Sequence, residues 1–325
     1  MDNQNQKNGF PALSLRQLHY ALAAADHGNV TEAARRLNVS QPAVSAAIAA
    51  LETHYGTTLF TRQPGQGVSP TRFGLSVFSE VRALLKQSRA VFALQEGSGP
   101  MRGEVTLGIY EALAPYYLPA VLRHLADTLP EVRVTVFEAE LDQLVARLHD
   151  GSADLSITYD VGIDPALVTE TLYTLRPFIL APRRHALAKR PTAPLKSLHG
   201  EALVLLDQLA SAQYVLGLLH AKGVSPSSVL RVRSFELQRS LVANGQGLAL
   251  SHTRPLVATS YDGKPLAAIP VSDDLAPQRV LLASSSRHRP SPVAGAAGRA
   301  IAEAFAALPR AAVDASILIN RKKRA

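Results

Sequence analysis

The stretch that most constrains this chain is residues 31–61, TEAARRLNVSQPAVSAAIAALETHYGTTLFT. It carries two short helical patterns around a tight turn. Ala33, Ala34 and Leu37 give the first an apolar face at i, i+1 and i+4, which suits a helix ending near Leu37. Asn38-Val39 follows as a turn, because Asn tolerates the left-handed conformation of a helix exit. Ser40 is an N-cap for the next helix. Pro42 falls close to the first helical position, where a missing N–H has no consequence. Val44, Ile48 and Leu51 repeat at i, i+4 and i+7 and predict a buried stripe, which leaves Ser40, Gln41, Pro42, Ser45, Ala46 and Ala49 facing outward. Two helices so joined form a helix-turn-helix. The second helix then offers its N-terminus to a phosphate and its small polar face to base edges in a major groove. The same spacing also fits a plain helical hairpin in a core, so the flanking sequence has to discriminate.

Upstream, Leu15, Leu18 and Leu22 predict one face of a first helix capped by Ser14 and broken at Asp26-His27-Gly28-Asn29. Downstream, 57–60 reads as a short extended piece, 63–67 as a turn and 68–71 as a second strand, together a two-stranded wing. A long amphipathic helix is expected from Arg72 to about Gln95, with Val77, Val81, Leu84, Leu85, Ser88, Phe92 and Gln95 at spacings of three and four. It would extend about 35 Å. So narrow an apolar stripe predicts pairing with a copy of itself, which would present two recognition helices to two half-sites. Gly97-Ser98-Gly99-Pro100 marks a boundary.

Beyond Met101 the pattern alternates. Val105, Leu107 and Ile109 form a strand; Leu118, Val121, Leu122 and Leu125 a helical face; Val132, Val134 and Val136 a strand; Leu141, Leu144, Val145 and Leu148 a helical face; 154–159 a strand. Strand-helix-strand-helix-strand implies a parallel sheet with right-handed crossovers. A similar order restarts with a strand at 202–206, a helix at 211–221, a strand at 230–234, a helix at 236–244 and a strand at 247–251. Two α/β lobes are expected, with 178–181 and 279–284 as strands crossing between them and a helix at 292–307 returning to the first lobe.

At 325 residues the chain exceeds one core, so several domains are expected. No apolar run reaches the roughly 18 residues of a membrane span. The opening MDNQNQKNGFPALS lacks the apolar core of a signal peptide and reads as a disordered arm. Cysteine is absent, which excludes disulfides and thiolate chemistry and suits a reducing cytoplasm. The net charge of +8 is spread thinly: residues 1–100 carry +3, and Arg321-Lys322-Lys323-Arg324 supply four of the remaining positive charges. Basicity alone therefore does not identify a nucleic-acid binder; the basic tail reads as a solvated, disordered end.

Ala33-Ala34, Leu37, Ser40-Gln41-Pro42, Val44-Ser45, Ile48, Leu51-Glu52, Gly56, Leu59-Phe60, Arg62, Thr71 and Gly74 occur in an order that resembles the N-terminal domain of the LysR-type transcriptional regulators. Looser resemblance continues to about residue 308 through Leu118-Pro119, 151–155, 185–188 and 242–247. It implies a multidomain α+β protein. The expected parts are an arm at 1–13, a winged helix-turn-helix at 14–71, a linker and dimerisation helix with hinge at 72–100, an effector-binding domain at 101–310 and a basic tail at 311–325. The effector domain resembles periplasmic binding proteins, with lobe 1 at about 101–180 and 285–310 and lobe 2 at about 181–284. The implied partners are double-stranded promoter DNA, a second copy through the linker helix, further assembly to a tetramer, a small-molecule effector and RNA polymerase, with no membrane and no cofactor. Candidate DNA contacts are Thr31, Arg35, Ser40, Gln41, Pro42, Ser45, Ala46, Arg62, Thr71 and Arg72. Glu32 and Ala46 stand where many members carry arginine, which should weaken sequence-independent phosphate attraction.

In a two-lobed α/β domain a ligand belongs in the crevice beyond the strand ends. The candidates are Tyr110, Glu111, Tyr159 and Asp160 on one lobe and Asp207, Ser211, Ser234, Phe235, His252 and Thr253 on the other. Ser211, at an expected helix N-terminus, is placed to donate to an anion, and the resemblance implies small carboxylates held by Ser/Thr groups there; Glu111 departs from this, disfavouring a simple anion close to it and suiting an amine or hydroxyl. Enzymatic signatures are weak, with no HExxH pair, nucleophile elbow or phosphate-binding loop. A transport-type solute-binding protein is the first rival reading and an α/β enzyme the second; residues 14–95 argue against the former and the lack of a clustered acid, base or metal site against the latter.

Overall fold

The computed structural model describes residues 13–63, 67–92, 100–253, 257–287 and 290–308. The arm at 1–12, the centre of the wing turn at 64–66, the boundary at 93–99 and the basic tail lie outside the described residues. Contacts divide the chain into two compact units. The first ends before Pro100 and takes in two short later segments, Ala146–Ala153 and Arg287–Pro292; the second holds the rest.

The first unit opens with α1 (Leu15–His27), where Ser14 and Gln17 form a capping box and Gly28 closes the helix at φ 62°. Asn29 caps α2 (Val30–Leu37), its Oδ1 accepting from the N–H groups of Thr31 and Glu32 at 2.8 and 3.1 Å. Asn38 then adopts φ 54°, the positive value that a helix exit needs. Ser40 caps α3 (Gln41–Tyr55), and Pro42 sits in its first turn. Val44, Ile48 and Leu51 are buried against Leu18, Leu22, Ala33 and Ala34 as the spacing predicts. Leu15 is 40% exposed instead, because Leu18, Ala21 and Leu22 already fill the inward face of α1.

The wing is antiparallel, β1 (Phe60–Gln63) with β2 (Gly67–Pro70). Its first strand begins where the expected extended piece ends. A Cβ at Gly67 would lie 2.2 Å from the Gly28 carbonyl oxygen, and Val68 N–H donates to that same carbonyl at 2.8 Å. Glycine at 67 thus lets the wing press on the α1–α2 corner. Glu52 anchors the other side, its Oε1 accepting from the N–H groups of Leu59 and Phe60. The long helix α4 (Arg72–Phe92) belongs to this unit: Val77, Phe78 and Val81 join its core.

The second unit holds two lobes. In the first, a five-stranded sheet has the order β4-β3-β5-β12-β6. β3 (Gly103–Tyr110) is parallel to β4 (Val132–Ala139) and β5 (Leu155–Tyr159), as the alternation with α5 (Ala114–Thr128) and α6 (Leu141–His149) predicts. β6 (Leu167–Leu175) was not expected. It is an edge strand, and Val168 to Leu172 show little burial to mark them in sequence. Val105, Leu107, Ile109 and Ile157 pack with Val121 and Leu125 of α5 and with Ile301 and Phe305 of α9 (Pro292–Ala306).

In the second lobe, β7 (Phe178–Pro182) lies between β10 (Ala249–Ser251) and β11 (Leu266–Pro270), antiparallel to both. β8 (Ala202–Leu206) and β9 (Ser228–Val232) pair in parallel, and a bridge from Leu203 to Leu248 joins them to that sheet. α7 (Leu209–Ala221) and α8 (Phe235–Ala243) follow β8 and β9.

The expected lobe boundaries need correction at two strands. β7 lies wholly in the second lobe, and β12 (Gln278–Ser285) lies inside the first-lobe sheet, antiparallel to β5 and β6. Neither strand crosses between lobes. The crossings are the short segments beside them. An apolar strand declares that it is buried but not which neighbours it pairs with.

Candidate DNA interface and effector cleft

On α3, the buried stripe turns the opposite face to solvent. Gln41, Pro42, Ala46 and Ala49 are exposed, as is Ser40 at the cap, while Ser45 is half-buried. Ser40 Oγ accepts from Ala43 N–H at 3.4 Å, so this hydroxyl also organises the helix start. Thr31 is exposed at the start of α2. Arg35 donates twice to Glu32, at 2.8 and 2.6 Å, and Arg36 once, at 2.8 Å. The hydrogen bonds from Arg35 and then Arg36 hold the Glu32 carboxyl at about 2, so it stays ionised. The carboxylate therefore draws both guanidinium groups onto its own helix. Arg62 lies on β1 opposite Val68. Thr71 is used structurally: its Oγ1 accepts from Gly74 N–H at 2.9 Å and donates to the Thr58 carbonyl at 3.1 Å, starting α4. Arg72, the next residue, is exposed.

Within the second unit, tyrosines from the first lobe reach across to the second. Tyr110, at the end of β3, donates to Gln208 Oε1 at 2.6 Å and lies 3.2 Å from Ser211 Oγ. Burial pushes its phenol up to about 12, keeping it a donor. Gln208 Nε2 donates to Glu111 Oε1. Tyr159, at the end of β5, hydrogen-bonds Thr253. Tyr116 of α5 donates to Glu236 Oε1 of α8 at 2.9 Å, and its ring meets Phe235 edge-on with centroids 5.6 Å apart. Behind Glu236, the buried Arg239 guanidinium lies 3.2 Å from the carboxylate and donates to the carbonyls of Val257 and Thr259 at 2.9 and 2.6 Å.

Between the lobes is a cavity of about 50 Å³. Of the sequence candidates, Tyr159, Ser211, Phe235, His252 and Thr253 line it; Tyr110 and Glu111 connect to its edge through Gln208 and Ser211. Three candidates are engaged elsewhere. Asp160 pairs with Arg279 at 2.8 Å, Asp207 with Arg231 at 2.7 Å, and Ser234 caps α8 through Leu237 N–H at 3.3 Å. Sequence reasoning missed Tyr214, Gln238 and Gln278 in the lining and Gln208 behind it. The carboxamides gave no local signal, since burial alone separates them from surface glutamines: Gln208, Gln238 and Gln278 are 3%, 2% and 6% exposed. His252 is likewise buried, with its ring edge-on to Tyr214 and its Nε2 lacking a protein partner. Burial lowers its imidazole to about 4, against a weaker opposing pull from Asp160.

Two family models match these two regions. Residues 15–75 match the bacterial regulatory helix-turn-helix of the lysR family, and residues 98–306 match the LysR substrate binding domain. The DNA-binding transcriptional dual regulator OxyR of Escherichia coli is 30% identical over 242 residues, covering 73% of this chain and 78% of that protein. The HTH-type transcriptional regulator TfdS of Cupriavidus pinatubonensis is 29% identical over 272 residues, 80% of this chain and 91% of the relative. Among solved structures, HinK, a LysR family transcriptional regulator from Pseudomonas aeruginosa, superposes with TM-score 0.61 at 27% identity over 92% of this chain and 100% of that one. A full-length OxyR variant from the same species shares the fold at TM-score 0.75 and 21% identity, over 91% and 99% of the two chains. With an exposed recognition face on a capped helix and a two-lobed domain matched along nearly its whole length, the chain belongs to the LysR family of DNA-binding transcriptional regulators.

Proposed function

We propose that α3 reads a promoter site through Ser40, Gln41, Pro42, Ser45 and Ala46, with Thr31, Arg62 and Arg72 on flanking phosphates, and that a small molecule in the inter-lobe cavity modulates this binding. The observation that carries the reading is the division of α3 into a buried stripe of Val44, Ile48 and Leu51 and an exposed face beginning at its capped N-terminus. Thr71 acts by holding the wing to α4. Residues 14–71 and 72–100 serve as reader and dimerisation element, supported by Phe73, Leu75, Leu84 and Val91, which are 46%, 56%, 45% and 63% exposed on α4. Pairs of dimers form the working tetramer in the cytoplasm, and RNA polymerase is the downstream partner.

Footprinting on the DNA upstream of its own gene tests the reading, and absence of protection at low salt would sink it. Gln41→Ala should weaken operator binding about tenfold, the scale of one lost base contact, while leaving random DNA unchanged. Equal losses on both would make Gln41 a phosphate contact. Glu32→Gln should release Arg35 and Arg36 toward the backbone. The slope of log K against log salt would then steepen by about 0.9 for each phosphate gained; an unchanged slope would show that neither reaches DNA.

Several relatives are named hydrogen peroxide-inducible genes activators. This chain has no cysteine, so a signal received through thiol oxidation is closed to it. A reversible ligand in the cleft remains the means of control.

A further inference from the structure

The chemistry of the cavity wall restricts what the cleft accepts. None of the residues lining it is Lys, Arg, Asp or Glu. Its polar groups are hydroxyls and phenols (Ser211, Ser251, Thr253, Tyr159 and Tyr214), the carboxamides of Gln238 and Gln278, and the imidazole of His252. Gln238 spends its amide N–H on the Val204 carbonyl at 2.8 Å, and so is fixed in orientation. His252 presents a buried Nε2 with no protein partner, a group that asks for a hydrogen bond from whatever occupies the space.

Charge outside the wall points the same way. Asp160 acts electrostatically on both His252 and Tyr214, and Glu111 and Glu140 act on Tyr110. Arg279, which is bound to Asp160, is not part of the lining. An anion entering here would lose its water and find no cation on the wall. A cation would face the same desolvation with no carboxylate in the lining. The imidazole does not supply positive charge at neutral pH, because burial keeps it neutral.

We infer that the effector is a small uncharged molecule rich in hydrogen-bonding groups, an amide or alcohol of a few heavy atoms, that bonds His252 Nε2 and the Ser211 and Thr253 hydroxyls. The inference rests on the cleft being the effector site, and it adds the chemical class. The cavity of about 50 Å³ suits a molecule of that small size.

Matched probes test it on the full-length protein carrying ¹³C-labelled histidine, with the His252 ring signal assigned by its loss in His252→Gln. Acetamide is titrated against acetate, and propionamide against propionate. The expected result is a saturable shift of the His252 signal by each amide, at least tenfold tighter than by its carboxylate. A carboxylate that saturates the His252 signal as tightly as its amide overturns the uncharged class while leaving the cleft as the site. Amide binding that leaves His252 unmoved, and is unaffected by Thr253→Val, overturns the cleft itself. No response to any of the four probes also counts against the class, since each amide is a small uncharged molecule with both a donor and an acceptor.

Discussion

Gly74→Ala should destabilise the DNA-binding unit by about 3 kcal/mol, near the upper end of what overpacking costs. A Cβ at this position would stand 2.2 Å from the Leu59 carbonyl oxygen and 3.2 Å from Thr71 Oγ1. The backbone cannot easily yield there, because Glu52 holds the Leu59 N–H at 2.8 Å and Thr71 N–H donates to the Leu59 carbonyl at 2.9 Å. Hydrogen exchange should show faster opening throughout α1 to α4 with little change in the effector lobes, and operator affinity should fall with it. Gly56→Ala is the control. Gly56 has φ 64° but nothing within 4 Å of its added Cβ. It should cost only the left-handed penalty of about 1 kcal/mol. Equal losses in the two variants would refute the close-approach argument.

The second large effect is acid sensitivity centred on His252. Its folded pKa lies at about 4, below the ordinary 6.5, because burial disfavours the charged ring. The unfolded chain therefore takes up the proton first. The stability that His252 confers by remaining neutral is complete above pH 6.5 and is lost as pH falls toward 4. Between pH 7 and pH 5 the loss should be about 2 kcal/mol. Carboxylates also titrate on the acid side, so the quantity to measure is the difference between wild type and His252→Gln in urea unfolding at each pH. That difference should shrink from pH 7 to pH 5, and a constant difference would mean that the ring is hydrated in the folded protein.

Legibility in the sequence followed the range of the forces involved. The α2–α3 turn was readable because its determinants are local: Asn38 takes the positive φ, Ser40 caps, and Pro42 falls where no N–H is needed. The parallel core of the first lobe was readable because β3, β4 and β5 alternate with helices. β6 and β11 were not, since each is paired through a strand distant in sequence, β12 and β7 respectively. The cleft divided along the same line. Residues at or just past strand ends, such as Tyr159 and His252, could be nominated from topology. Asp160 and Asp207 occupy equivalent places but are neutralised by Arg279 and Arg231, partners that sequence separation hides. Gln278 belongs to the cavity only because β12 is inserted beside β5 and β6.

That insertion has a mechanical meaning. The chain leaves the first lobe after Leu175 and returns at Gln278, and these two residues face each other in register; on the second lobe Phe178 faces Pro270 in the same way. Between those pairs, Val271 N–H donates to the Pro177 carbonyl at 3.1 Å. The lobes are thus joined by two crossing segments set side by side, the arrangement of a hinge. Gln278 is both the end of a crossing segment and part of the cavity wall. In the proposed reading, a molecule that touches Gln278 bears on the hinge as well as on the cavity wall, which couples the occupant of the cavity to the angle between the lobes.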